Sequence, residues 1–177
     1  MTPDADKPWG KERAQAIRDT FKAIIDHAGA VKADCLFISG DLFHRQPLMR
    51  DIKEVNYLFS TIPHVRVVMI AGNHDKIREN SSILSFSWSP NVTFLADPAL
   101  SSVYFDDINT EVYGFSYHTT EIREPLLEDI QVPLNNRIQI LLAHGGDPAH
   151  VPMNFNTLSL SPFSYIALGH IHKAQVI

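Results

Sequence analysis

Cysteine is nearly absent from this sequence. Cys35 is the one example in 177 residues, which excludes an internal disulfide and any multi-cysteine zinc site. Basic residues are also in short supply. Fifteen Lys and Arg against twenty Asp and Glu give a formal charge of −5, so there is no broad cationic footprint of the kind that marks a stand-alone nucleic-acid binder. If the chain handles nucleic acid, metal ions must supply the positive charge. No apolar run reaches membrane-spanning length. The opening MTPDADKPWG is acidic and polar, without the basic start and apolar core of a signal peptide. These absences predict a soluble, cytoplasmic protein, and the length suits one well-packed domain.

What is present is an alternation of helix and strand patterns. From Lys11 to Ala30, apolar residues at Ala14, Ile17, Phe21, Ile24, Ile25 and Ala28 fall on one helical face. The run CLFIS ends in Gly40 and Asp41. A second helical stretch near Leu48 to Ser60 leads to VRVVMI, which ends in AGNHD. Further short strands are predicted at Val92 to Leu95, Val103 to Phe105 and Glu111 to Tyr117. RIQILLAHGG and YIALGHIH then repeat the device of an apolar run followed by glycine and ligand-type residues. Between them, GGDPAHVPMNFNTLSLSPF reads as a long loop with one helical turn. The alternation predicts a layered α/β domain.

In an open α/β sheet, loops at the carboxyl ends of neighbouring strands converge on one edge. Four strand ends here carry Asp41, Asn73 with His74, His144, and His170 with His172. Any one of these, alone, is explained as a turn former or a satisfied polar residue. Four in series, each beside glycine, point to a bound ion or phosphate approached closely by backbone. The donors are carboxylate, amide and imidazole with no thiolate, which suits Mn²⁺ or another first-row divalent ion better than Ca²⁺. The other histidines, His27, His64, His118 and His150, are read as structural or surface residues. Trp9 and Trp88 are read as core packing.

The order GDLFH, GNHD, AHGG and GHIH resembles the calcineurin-like metallophosphoesterases, and FISGDLFHRQP with FSYIALGHIHKAQ is similar to the SbcD-type DNA-repair exonucleases. The likeness runs from about Trp9 onward. It implies an α/β metallophosphoesterase sandwich, with central β-sheets flanked by helices, holding two metal ions, manganese by resemblance. On that likeness Asp41 bridges both ions, Asn73, His144 and His170 complete one ion's protein ligands, and His172 belongs to the other. His74 stands beside the scissile phosphate as a non-ligand that stabilises charge or protonates the leaving oxygen, with Asp75 orienting it through a hydrogen bond. His44 is a substrate-side histidine suited to a nuclease. The chemistry implied is in-line attack of a metal-activated water on phosphorus.

One block of the family is missing. Its first strand carries an Asp-x-His pair that supplies two ligands to the first ion, and no such pair occurs here. Asp4 and Asp6 are poor substitutes, since a flexible terminal loop holds metal badly. The expectation is therefore a partial metallophosphoesterase catalytic domain over residues 1–177, truncated at both ends. It keeps one near-complete site (Asp41, Asn73, His144, His170) and one depleted site (Asp41, His172). An exposed sheet edge would favour a homodimer. For the intact protein the resemblance implies a DNA exonuclease acting in DNA repair with an SbcC-type ATPase partner; for this chain by itself it implies weak or absent activity. The alternatives are a phosphoesterase acting on small molecules or proteins, and a non-catalytic homologue that binds metal without turnover.

Overall fold

The structure is a computed structural model, and it describes residues 7–128 and 130–172. Asp4 and Asp6 lie outside the described residues. Two sheets form the centre. The first is wholly parallel, in the order β1 (Cys35–Ser39), β2 (Arg66–Ile70), β3 (Val92–Phe94). The second takes the order β4 (Ser101–Phe105), β5 (Thr110–Gly114), β6 (Ile138–His144), β7 (Tyr165–Gly169), with β4 antiparallel to β5 and the remaining pairs parallel.

Period-two alternation within each strand sorts side chains between layers. Val68 and Ile70 of β2 meet Val112 of β5 and Leu142 of β6 in the core between the sheets, with Leu95 and half-buried Phe37 beside them. The opposite face of β2, Val67 and Met69, packs with Ile25 and Ala28 of α1 (Gly10–Ala30) and Phe59 of α2 (Met49–Ser60). Beyond the second sheet, Leu141 and Ala143 join Tyr113, Tyr117, Val151 and Leu158, covered by the loop that carries α4 (Phe155–Leu158). A further short helix, α3 (Ser82–Ser85), sits between β2 and β3. The order of layers is helices, sheet, sheet, loop. That is the α/β sandwich expected, and each fully buried Leu or Val contributes about 1.5–3 kcal/mol of transfer free energy.

Two local details differ from the periodicity. Only part of the apolar stripe of α1 is covered: Ile25 and Ala28 are buried, whereas Ile17 and Ile24 are 44% and 49% exposed. The strand expected at Glu111 to Tyr117 ends at Gly114. Beyond it the chain crosses to the other sheet. The Tyr117 N–H donates to the Ala71 carbonyl at 3.1 Å, and the Ser116 hydroxyl accepts from the Ala71 N–H and donates to the Leu95 carbonyl.

Register places the site. Ser39 pairs with Ile70 in one sheet and His144 with Gly169 in the other, so the loops after β1, β2, β6 and β7 emerge together. The two sheets are tied there. The Ser39 hydroxyl donates to the Ala167 carbonyl at 3.1 Å, and His144 Nδ1 lies 2.8 Å from the Ser39 carbonyl.

Candidate metal centre

The loop after β1 turns through Gly40 at φ +83° and Asp41 at φ +52°. A side chain at Gly40 would run into the His144 ring, and one at Gly72 would strike the Asp41 carboxylate. Both glycines are therefore required by close approach as well as by turning. Left-handed backbone costs a non-glycine residue free energy that its surroundings must offset. At Asp41 the offset comes from Asp75. That carboxylate is 1% exposed and accepts from the backbone N–H groups of Asp41 (3.2 Å), Phe43 (3.0 Å) and Gly72 (2.7 Å), locking the β1 and β2 loops to each other. Burial pushes the Asp75 carboxyl up, further helped by the nearby Asp41 charge, and the hydrogen bonds only partly offset this.

This corrects the role expected for Asp75. It does not orient His74, because its oxygens are committed to three backbone N–H groups. Instead His74 Nδ1 lies 3.1 Å from the His44 carbonyl, and the His44 and His74 rings stack with centroids 5.0 Å apart. His74 is anchored through its backbone as well, its N–H donating to Asp41 Oδ1 at 2.9 Å.

His144 ends β6 with its side chain 1% exposed. The Ser39 carbonyl can only accept, so the proton sits on Nδ1 and Nε2 carries the lone pair. That lone pair faces Asn73 Oδ1 at 3.0 Å and Asp41 Oδ2 at 3.3 Å. Three acceptors converging in a buried corner repel one another unless a proton or a cation lies among them. Burial would lower the His144 pKa, but the Asp41 carboxylate outweighs it and raises it, which favours a proton in that corner. Reciprocally, burial would raise Asp41, but hydrogen bonds from His144 and the His74 N–H hold it below its usual value. A divalent cation fits the same donors. One ligand atom each from Asp41, His144 and His170 lies within 4.8 Å of the others.

The structure thus brings Asp41, Asn73, His144 and His170 to one rim, with His44 and His74 alongside. His172 is exposed and stands outside that grouping. His64 and His118 each lie within hydrogen-bonding range of a backbone carbonyl, of Gly29 and Ala96 respectively. His150 is not the bystander expected. With Asp147 and His170 it forms a second cluster, Asp147 Oδ2 lying 2.7 Å from His170 Nε2 and both Asp147 oxygens 3.0 Å from His150 Nδ1. Burial would raise the Asp147 carboxyl, but bonds from His170, the Ala149 N–H and His150 hold it far below the ordinary carboxylate range. The signal for both residues was present in the AHGGDPAH segment, where Asp147 and His150 stand three residues apart just after a ligand-bearing strand.

The profile of the calcineurin-like phosphoesterase family matches residues 10–174. The chain is 28% identical over 174 residues to the DNA double-strand break repair protein Mre11 of Methanocaldococcus jannaschii, covering 92% of this chain and 46% of that protein. It is 37% identical over 201 residues to the Mre11 protein of Archaeoglobus fulgidus, covering 96% and 43%. It is also 26% identical over 179 residues to the uncharacterized metallophosphoesterase YhaO of Bacillus subtilis, covering 93% and 43%. The chain spans less than half the length of each of these relatives.

Proposed function

Because the chain belongs to the calcineurin-like phosphoesterase family, a family of hydrolytic enzymes, we propose that it is the catalytic portion of a DNA exonuclease of the SbcD type, acting in DNA repair on phosphodiester bonds. The observation that carries this reading is the meeting of Asp41, Asn73 and His144 around one lone pair, with the stacked His44 and His74 pair beside it. The similarity to two Mre11 proteins supports DNA as the substrate class.

Asp41, Asn73, His144 and His170 would hold one divalent ion, and Asp41 with His172 would contribute to a second; manganese suits this mixed oxygen and imidazole set. Bound divalent ions supply Lewis acidity and an activated water to such a centre. The chain's own residues do the rest. Asp75 holds the Asp41 turn rigid from beneath. His74, tethered at Nδ1 by the His44 carbonyl, would act as the imidazolium, its Nε2–H stabilising charge on the phosphate or passing its proton to the leaving oxygen and leaving the neutral ring. His44 stacks on His74 from the substrate side and limits its rotation. An SbcC-type ATPase and a second copy of the chain are the proposed partners, and the cytoplasm the proposed compartment. Among the described residues no helix is long and apolar enough to cross a membrane.

The test is a single-turnover digest of linear duplex DNA with Mn²⁺ and protein in excess, run beside a small nucleotide diester. Slow release of nucleotides from DNA ends, weak as befits a chain without the Asp-x-His pair and lost in Asn73→Ala and His170→Ala, is expected. Turnover of the small diester with DNA left intact would replace the nuclease with a general phosphodiesterase. Stoichiometric Mn²⁺ uptake with neither substrate hydrolysed would leave a non-catalytic metal-binding homologue.

A further inference from the structure

Resting on the reading of Asp41, Asn73, His144 and His170 as a cation centre, we infer that Asp147, braced by His150, is a positioning residue that fixes which ring nitrogen His170 presents to the ion. His170 departs from β7 at φ +88°, a conformation a histidine keeps only when its surroundings over-determine it. The Asp147 carboxylate is the partner that does so. Its Oδ2 accepts from His170 Nε2 at 2.7 Å, while its Oδ1 accepts from the backbone N–H groups of Ala149 (2.8 Å) and His150 (3.1 Å). His150 Nδ1 spans both oxygens at 3.0 Å, and the His150 and His170 rings lie 4.4 Å apart, centroid to centroid. The loop around them is closed by the Gly146 N–H, which donates to the His150 carbonyl at 2.8 Å.

A carboxylate can only accept, so Nε2 of His170 carries the proton and Nδ1 is the nitrogen left for a cation shared with Asp41 and His144. His144 is set the opposite way: its Nδ1 proton goes to the Ser39 carbonyl and Nε2 remains. The two ligand imidazoles therefore use different nitrogens, each chosen by the acceptor on its far side. Partners of this kind orient a metal-binding histidine and raise its basicity.

Asp147→Asn discriminates because it is nearly isosteric. The amide oxygen still accepts from the Ala149 and His150 N–H groups, but an amide nitrogen now faces His170 and donates, which moves the ring proton to Nδ1. Two readouts follow. Long-range ¹H–¹⁵N NMR of the metal-free protein should show His170 switching from the Nε2–H to the Nδ1–H tautomer. Mn²⁺ titration should show affinity falling roughly 10- to 100-fold with stoichiometry unchanged. His150→Gln should shift affinity in the same direction by less. An unchanged tautomer, or affinity within about twofold of wild type, overturns the inference. Loss of one whole equivalent of Mn²⁺ also overturns it, since Asp147, His150 and His170 would then be an ion site in their own right. Wild-type protein that takes up no Mn²⁺ while Asp147→Asn still flips the tautomer would sink the cation centre and leave the lock on His170 standing.

Discussion

The two halves of the rim solve the same problem with carboxylates placed very differently. On the first sheet, Asp75 is buried and bonds only to backbone N–H groups. On the second, Asp147 is 36% exposed at its side chain and bonds to two imidazoles as well as to backbone. The difference separates two tasks. A buried acceptor of main-chain donors holds the shape of two loops and is expensive to remove. A half-exposed acceptor of side-chain donors governs protonation and orientation at modest cost to the fold. Asp75 belongs to architecture, Asp147 to chemistry.

Removing each carboxylate breaks that contrast most directly. Asp75→Ala strands three N–H groups beneath Asp41 and should destabilise the protein by about 3 kcal/mol, whereas Asp147→Ala should cost under about 1 kcal/mol; urea denaturation of the metal-free forms measures both. Equal losses would erase the distinction. A smaller effect sharpens it on the affinity scale. Asn73→Ala removes a proposed ligand on the first sheet and should weaken Mn²⁺ binding by at least the roughly 10- to 100-fold typical of outer partners, measured by calorimetry, with folding stability of the bare protein nearly unchanged.

The smallest effect concerns a carboxylate remote from the rim. Glu111 of β5 accepts from Arg137 at 2.8 Å and from the Ser102 hydroxyl at 2.9 Å. Burial would raise it, but these bonds outweigh burial and hold it below its usual value. A depressed folded pKa stabilises above the unfolded value, about 4.3, and that stability is lost as pH falls through the lower folded value. Glu111→Gln should therefore be about 0.5–1 kcal/mol less stable than wild type at pH 7, with the gap closing below pH 4. A gap that persists in acid would assign the effect to packing.

Patterning of apolar residues located the strands that end at Ser39, Ile70, His144 and Gly169, and the glycines beside them marked where backbones must meet. The convergence of Asp41, Asn73, His144 and His170 on one edge could therefore be read from spacing and residue type, whereas their assignment to one ion came only from the family likeness. The partners of Asp75 could not. Asp75 follows His74 directly, and the family likeness implied a bond between them, but the carboxylate turns inward beneath Gly72 and bonds to backbone instead. Asp147 and His150 escaped for a different reason. They lie in a segment without hydrophobic period, whose course is set by Val151 burying itself against the outer face of the second sheet and by Gly146 bonding back to His150. Only that tertiary closure brings the pair to His170.

Asp41 and Asn73 grow from one sheet, His144 and His170 from the other. A cation gripped by all four would rivet the sandwich across its seam, so that neither sheet could peel away without first surrendering the ion. At a hundredfold excess over its dissociation constant, such a ligand adds about 2.7 kcal/mol to any opening that releases it. Amide exchange along the ends of β1 and β7 would slow accordingly on loading, tying the lifetime of the folded edge to the supply of metal.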